Sequence, residues 1–436
     1  MNSRKAISLA TTMACFFLCA AIASAQQERV IYSFRGQQDG KLPGPYAGLI
    51  ADSAGNLYGT TSQGGGSKNC GWLNHVPLGC GVIFELSPPS IAGQPWTENI
   101  LYVFQHDTDG AGPNATLARD GSGNLFGTTS TGGTTDNGTV FELSPPATQG
   151  GAWTFTTLYN YLDFDDGFNP NGVILDAAGN LYSETYGFPD TQGNVFELTP
   201  PTVQGGEWTY TVLYTFNGAF LGDGSLPRGN MVFDTQGNLY GATNLGGLSC
   251  PWEQCGIVFE LIKPTSPGGA WTEQILYSFT GGNDGGQPYG GVVFRGMNLF
   301  GTTSVAGNPG GGTIFRLSPP QVQGGAWTFR TIFDFNFSLS GDGPTSGVTF
   351  DSAGNMYSTA STSATAGADG EVYKVSPPTS PGGAWSFKLL YAFPSCTPSA
   401  CLTYSGVIFD GSTRNLFGVA TDGGKNGVGA VYEVVQ

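Results

Sequence analysis

The sequence predicts an all-β fold, a seven-bladed β-propeller of four-stranded blades. Three observations carry that prediction. One short stretch, Asp176-Ala-Ala-Gly-Asn-Leu-Tyr182, recurs along the whole chain, with its Asn at 56, 124, 180, 238, 298, 355 and 415. Three further segments rich in Val, Ile, Phe, Tyr and Thr recur between those copies, so each repeat holds four strand-like runs bounded by Gly, Pro, Asn or Asp. Composition agrees: 70 glycines, 13% aromatic residues and 11% charged residues describe many tight turns and aromatic packing, where a disordered chain would be poor in aromatics.

The chain opens with a secretion leader over residues 1–25. Arg4 and Lys5 form its basic start, Ala6 to Ala23 its apolar run, and Ala23-Ser-Ala25 a small-residue cleavage site before Gln26. No later apolar run is long enough to span a bilayer, so no membrane insertion is expected. The mature chain is expected to be exported, extracellular or periplasmic, and monomeric. Cys15 and Cys19 leave with the leader. The remaining six cysteines lie in three close pairs, Cys70/Cys80, Cys250/Cys255 and Cys396/Cys401. In an oxidising compartment these are expected disulfides. The zinc alternative has only His75 and His106 to draw on and no CxxC pair.

Without the leader, 14 basic residues stand against 32 acidic ones. So acidic a chain lacks the footprint for nucleic acid or anionic membranes, and suits neutral ligands such as glycans, or cations.

The recurring segments define the blade. An apolar run such as Gly172-Val-Ile-Leu is strand a, innermost. Asn-Leu-Tyr-Gly-Thr-Thr is strand b, and Gly138-Thr-Val-Phe-Glu-Leu143 is strand c. A Trp-led run such as Trp271 to Phe279 is strand d, outermost. Apolar runs that are nearly continuous mean sheets buried on both faces, as blades are by their neighbours. The blades are expected near 48–104, 115–161, 172–216, 229–279, 290–335, 347–393 and 406–435. The last repeat stops without a Trp-led strand, and the missing piece stands at the front, where Arg29-Val-Ile-Tyr-Ser-Phe34 matches Ile275-Leu-Tyr-Ser-Phe279. The N-terminal strand 29–34 should therefore complete the seventh blade and cover its open edge.

The repeated Asp…Gly-Asn stretch is the a–b hairpin turn, its Asp accepting backbone N–H groups and its Gly supplying a positive φ. The c–d connectors, such as Ser144-Pro-Pro-Ala-Thr-Gln-Gly-Gly-Ala-Trp153, are nearly uniform and mark a scaffold face. The d–a and b–c loops diverge, and variable loops on a constant scaffold are where function is expected.

Units reading Gly-Asn-Leu-Tyr-Gly-Thr-Thr and Gly-Thr-Val-Phe-Glu-Leu resemble the tandem GloVer repeats of exported bacterial proteins and, more distantly, NHL-type propeller repeats. The resemblance spans residues 28–436. It implies an exported propeller, often associated with the cell surface, and brings no common reaction with it. Members often end in a surface-sorting tail; this chain ends at Val434-Val-Gln436, so release or loose surface association is expected.

Two groups of candidate site residues stand out. The d–a loops repeat Asp-Gly at Asp39, Asp109, Asp166, Asp223, Asp284 and Asp342, with Asp163 and Asp165 nearby. These carboxylates could ring the channel mouth and hold Ca²⁺, or Asp-Gly could be turn chemistry that repeats because the turn repeats. Trp72 and Trp252, with Tyr46, Phe168, Phe188, Tyr289 and Tyr404, could stack on sugar rings or grip a peptide, or fill their own loops. No G-x-S-x-G, H-E-x-x-H, P-loop or dinucleotide-binding glycine pattern occurs, and no catalytic residue is assigned. The expected function is non-catalytic binding of a glycan or protein through the d–a/b–c face. The alternatives are a metal-assisted lyase or lactonase at the central channel, and a structural envelope protein.

Overall fold

Each repeat folds as one antiparallel sheet, and seven sheets form the propeller. The computed structural model describes residues 28–436 except 45–46, 74–75, 92, 149, 163–165, 168, 188–191, 204, 219–221, 249–254, 267, 323, 342, 364, 366, 395, 397–398 and 411–413. The leader and its cleavage site lie outside the described residues. Among the described residues no helix is long and apolar enough to cross a membrane. One short helix, Phe337–Ser340, capped by the Asn336 side chain, stands in a d–a loop.

Blade 2 shows the strand order from the axis outward: Ala118–Arg119, Leu125–Thr129, Thr139–Ser144, Thr154–Asn160. Strand a is shorter than the sequence suggests, two residues in six blades and four in the fifth, Val292–Arg295. The Gly-led residues before it leave the sheet and turn toward the axis, which creates the site described below. In blade 1 a second short piece, Lys41–Pro43, pairs with the far end of Leu57–Gln63; Gly224–Pro227 does the same in blade 4.

The wording of strand b follows from packing. Its Gly lies under the ring at the third position of strand c. A Cβ on Gly59 would stand 2.6 Å from the Phe84 ring, and one on Gly301 2.5 Å from the Phe315 ring. Glycine at this place lets a whole aromatic side chain lie flat in the sheet. Seven apolar clusters result, one between each pair of neighbouring blades, joining for example Tyr58 and Ile83 of blade 1 to Leu117 and Phe141 of blade 2. The tryptophans that lead strand d pack on the preceding blade, as Trp271 does on Tyr182 and Trp327 on Tyr240.

The ring closes with the N-terminal strand. Glu28–Ser33 pairs antiparallel with Ala430–Val434, Glu28 opposite Val434 and Ser33 opposite Ala430. Phe34, fully buried, and Ile31 join a cluster with Phe417 and Val431 of blade 7 and Leu57 and Phe84 of blade 1.

The a–b turns are as their sequence implies. In Asp52 one carboxylate oxygen accepts the N–H groups of Ala54 and Asn56, and the other accepts the Asn56 amide at 2.9 Å. Partial burial opposes ionisation of Asp52, but these hydrogen bonds outweigh it and hold its pKa below the usual value. Asp120, Asp176 and Asp234 bind their turns in the same way.

Candidate functional site

The Asp-Gly pairs of the d–a loops are anchors within their own blades. Asp39, Asp109, Asp166, Asp223 and Asp284 each accept the hydroxyl of a strand d tyrosine, Tyr32, Tyr102, Tyr159, Tyr214 and Tyr277, at 2.6–2.9 Å. Each also accepts a backbone N–H at 2.7–3.1 Å. The following glycine sits on a strand b threonine. Gly285 has φ 89°, and a Cβ there would lie 2.0 Å from Thr303 Oγ1. None of the five described aspartates lines the axial cavity, and among the described residues no group of three or more His, Cys, Asp or Glu side chains is placed to hold a metal ion. Asp342, Asp163 and Asp165 lie outside the described residues.

Beyond the Asp-Gly pair, every d–a loop makes the same unusual step. The residue at position 42, 112, 169, 226, 287, 343 or 402 has a positive φ between 51° and 64°, and only two of the seven are glycine. Six of the next residues are proline, and the seventh is Thr403. Left-handed backbone at a non-glycine residue stores about 1–2 kcal/mol, and proline disfavours helical conformations in the residue before it. A repeated constraint holds the turn. The N–H of Leu42, Gly112, Leu226, Gln287, Gly343 and Leu402 each donates to a carbonyl of the preceding blade, at 2.9–3.0 Å.

The disulfides buttress this seam. Cys70–Cys80 and Cys396–Cys401 are formed. Cys255 is also disulfide-bonded, and its expected partner Cys250 lies outside the described residues. Cys80 and Cys255 supply two of the accepting carbonyls, to Gly112 and Gln287, and Cys401 immediately precedes Leu402.

The outcome of the step is a ring. The residue after this proline, or after Thr403, is Asn114, Asn171, Arg228, Tyr289, Thr345 or Tyr404 in six loops, and Gly44 in the loop that enters blade 1. Six of these line a single cavity of about 110 Å³, joined there by Gly48 of blade 1. A cavity lined by the same segment of all seven blades lies on the propeller axis. Tyr46, which follows the second proline of Pro43-Gly44-Pro45, lies outside the described residues. Arg228 stands over the rings of Tyr186, 4.3 Å away, and Tyr289, 4.8 Å away. Asn171 donates to the Pro227 carbonyl at 3.0 Å and to Glu184 at 3.2 Å, tying blade 3 to blade 4 beside the arginine.

Glu184 occupies the strand b place filled by Thr128, Thr302 and Thr359 elsewhere, where the hydroxyl donates to a carbonyl of the next blade's ring segment. It is 1% exposed. Burial pushes its pKa up to about 8, and the Asn171 hydrogen bond offsets only part of that effect. Its other oxygen has no hydrogen-bond partner among the described residues, as suits a carboxyl group kept neutral.

A second acidic place lies away from the axis. Blades 2, 3, 5 and 6 stack an aromatic of strand d on the preceding blade, as Phe155 on Tyr102 at 4.1 Å and Phe329 on Tyr277 at 4.1 Å. Blades 1 and 4 carry Glu98 and Glu273 there. Burial raises both to about 7, with the neighbouring Asp39 and Asp223 charges adding to the effect. Arg35 bridges Asp39 at 2.9 Å and Glu98 at 3.7 Å. The corresponding residue beside Glu273 is Asn217.

Of the aromatic candidates, Tyr289 and Tyr404 reach the axial cavity. Trp72 lies in a small hairpin, Trp72–Leu73 with Val76–Pro77. Trp252, Phe168, Phe188 and His75 lie outside the described residues. His106 pairs with Asp136 at 3.3 Å. Asn114, Asn171, Arg228, Thr345, Tyr186 and Glu184 escaped sequence reasoning. The signal that finds most of them is the one variable residue after proline in loops aligned on Asp-Gly.

With the geometry in place, comparison with known proteins places the chain. The model of the Gloeobacter/Verrucomicrobia repeat matches residues 72–267 and 189–432. The chain belongs to the Gloeobacter/Verrucomicrobia repeat family. Among curated proteins no relative matches it significantly. Solved structures share the fold at low identity. PorZ, an essential bacterial surface component of the type-IX secretion system of Porphyromonas gingivalis, is 14% identical with a TM-score of 0.50, over 92% of this chain and 48% of PorZ, so the repeat protein spans about half of that relative. The polysaccharide lyase Uly1 is 11% identical with a TM-score of 0.48, over 93% of this chain and 94% of that one. A luciferin-regenerating enzyme is 12% identical with a TM-score of 0.41, over 94% and 95%. At these identities the likeness concerns the fold alone.

Proposed function

We propose that this repeat protein is exported and binds a glycan at the axial cavity on its d–a/b–c face. One observation carries the reading: six equivalent positions on an otherwise repeated frame hold Asn, Arg, Tyr or Thr, and all six line one cavity. The repeated closure bonds run from backbone N–H to carbonyl, so apart from Asn171 and Thr345, whose side chains bond to the next blade, closure does not account for that variety. Tyrosine faces suit the C–H faces of sugars, and amide and hydroxyl groups around them suit sugar hydroxyls. The test is binding to a glycan array by the purified mature chain, with Tyr289→Ala and Tyr404→Ala expected to abolish binding while leaving the melting temperature within a few degrees. Binding untouched by both substitutions would move the site off the axis.

A second reading, an enzyme of the channel, is favoured by Glu184. A carboxyl group with a pKa of about 8 beside Asn171 is protonated at neutral pH and suited to general-acid work. Turnover of a bound glycan that disappears in Glu184→Gln with binding retained would establish it.

A further inference from the structure

We infer that the groove between blades 5 and 6, on the scaffold face of the c–d connectors, binds a sulfate or phosphate ester group on a sugar between Arg316 and Arg330. The first ground is a like-charged pair that the fold does not explain. Strands c and d of blade 5, Thr313–Ser318 and Thr328–Asp334, set Arg316 directly opposite Arg330. The same strand c place holds Glu85, Glu142, Glu197, Glu260 and Glu433 in five other blades, opposite a neutral residue in four of them and Arg29 in the fifth. Arg29 and Glu433 form an ion pair at 3.9 Å. Like charges directly opposite each other cost a sheet stability, and among the described residues no carboxylate forms an ion pair with Arg316 or Arg330. The buried Nε of Arg316 has no hydrogen-bond partner among them either. Blade 6 also sets two cations opposite each other, Lys374 and Lys388, but the Lys374 ammonium lies over the Tyr357 ring, 5.4 Å from its centroid.

The second ground is what faces the pair. Arg316 and Arg330 form one wall of a groove of about 380 Å³, and the blade 6 connector from Pro377 to Gly383, with Trp385, forms the other. Pockets that enclose small ligands begin at roughly 300 Å³, so one sugar ring fits with its ester group. Thr379 and Ser380 of the connector carry hydroxyl groups that can donate to ester oxygens, and Trp385 with the two prolines offers an apolar surface to the C–H face of the ring. Arg295 adds to the local charge. It takes the place of turn aspartates such as Asp234 and donates to the Asp351 carbonyl of blade 6 at 2.9 Å. In a chain with 32 acidic residues against 16 basic ones, three arginines of one blade turned toward the same neighbour concentrate positive potential at one place. The acidic remainder repels an extended polyanion and leaves a localised ester group as the ligand.

The third ground is the number of arginines. The two oxygens of a carboxylate are matched by one guanidinium fork. The three terminal oxygens of a sulfate or phosphate ester are arranged tetrahedrally and accept from two forks approaching from different directions. The groove shares no lining residue with the axial cavity, so each site stands or falls without the other.

The experiment is calorimetric titration of the full mature chain, at pH 7 and low salt, with glucose 6-sulfate, glucose 6-phosphate, glucuronate and glucose. The expected result is binding of one or both esters at least tenfold tighter than that of glucuronate or glucose, the tighter ester showing which source the site serves. Arg316→Glu, which installs the carboxylate that five other blades carry, should weaken ester binding at least tenfold and leave the melting temperature unchanged or raised, because a repulsive pair becomes an attractive one. Arg330→Gln, at an exposed residue, should weaken it as much and carries the decision if the first variant is unstable. Binding of neither ester, ester binding no tighter than that of glucuronate or glucose, or ester binding kept by Arg330→Gln overturns the inference.

Discussion

Glu184 offers the sharpest test of the channel's electrostatics. The group is 1% exposed, with a folded-state pKa of about 8 against an ordinary value of 4.5. Between those two values the unfolded chain has lost a proton that the folded chain retains. Its contribution to stability is therefore fully present below pH 4.5 and is lost as pH rises toward 8, by about 1.4 kcal/mol per pH unit. From pH 5 to pH 7.5 the loss comes to roughly 3 kcal/mol on that slope. Glu98 and Glu273, raised to about 7 by burial, push in the same direction, so the raw pH profile does not isolate Glu184. The difference between wild type and Glu184→Gln does, because glutamine keeps the shape and an acceptor for Asn171 and does not titrate. Urea unfolding at pH 5 and pH 7.5, at constant ionic strength, is the assay. The variant should gain roughly 3 kcal/mol on the wild type between the two pH values. A wild-type-minus-variant difference that does not change with pH would refute a neutral carboxyl group at this place.

Three further outcomes test the frame that carries the ring. Phe34→Ala should destabilise the protein by about 3–5 kcal/mol, since the ring is fully buried between blades 7 and 1; deletion of residues 27–34 should lower the melting temperature more, and an unchanged melt would sink the closure of the propeller by its N-terminal strand. Gly285→Ala should destabilise by about 1–3 kcal/mol, because a Cβ there meets Thr303 Oγ1 at 2.0 Å from a backbone at φ 89°; stability equal to wild type in denaturant titration would remove the steric account of the Asp-Gly motif.

Much of this molecule was legible from its residues. Each blade reuses one local solution, so the wording of Asp52-Ser-Ala-Gly-Asn-Leu-Tyr58 and its copies already contained the turn, the strand that follows and the number of repeats. The front position of Arg29 to Phe34 and the bare end of the last repeat revealed the closure, because an unpaired edge strand needs a partner. Tyr289 and Tyr404 were legible as aromatics in variable loops. The short strand a was not legible, since Gly-Val-Ile-Leu reads as strand throughout. Only the inter-blade bonds at Leu42, Gly112, Leu226, Gln287, Gly343 and Leu402 turn the residues ahead of it toward the axis.

The amino-acid sequence by itself determined the all-β class, the seven-fold repeat, the hairpin turns and the partner of the N-terminal strand. These depend on interactions between residues close in the chain or on patterns repeated along it. The tertiary structure alone decided which side chains meet on the axis. Asn114, Asn171, Arg228, Tyr289, Thr345 and Tyr404 are spread over 291 residues of sequence and are brought to one cavity by ring closure. The same closure buries Glu184 and sets its charge state, because the cost of ionisation depends on neighbours contributed by another blade.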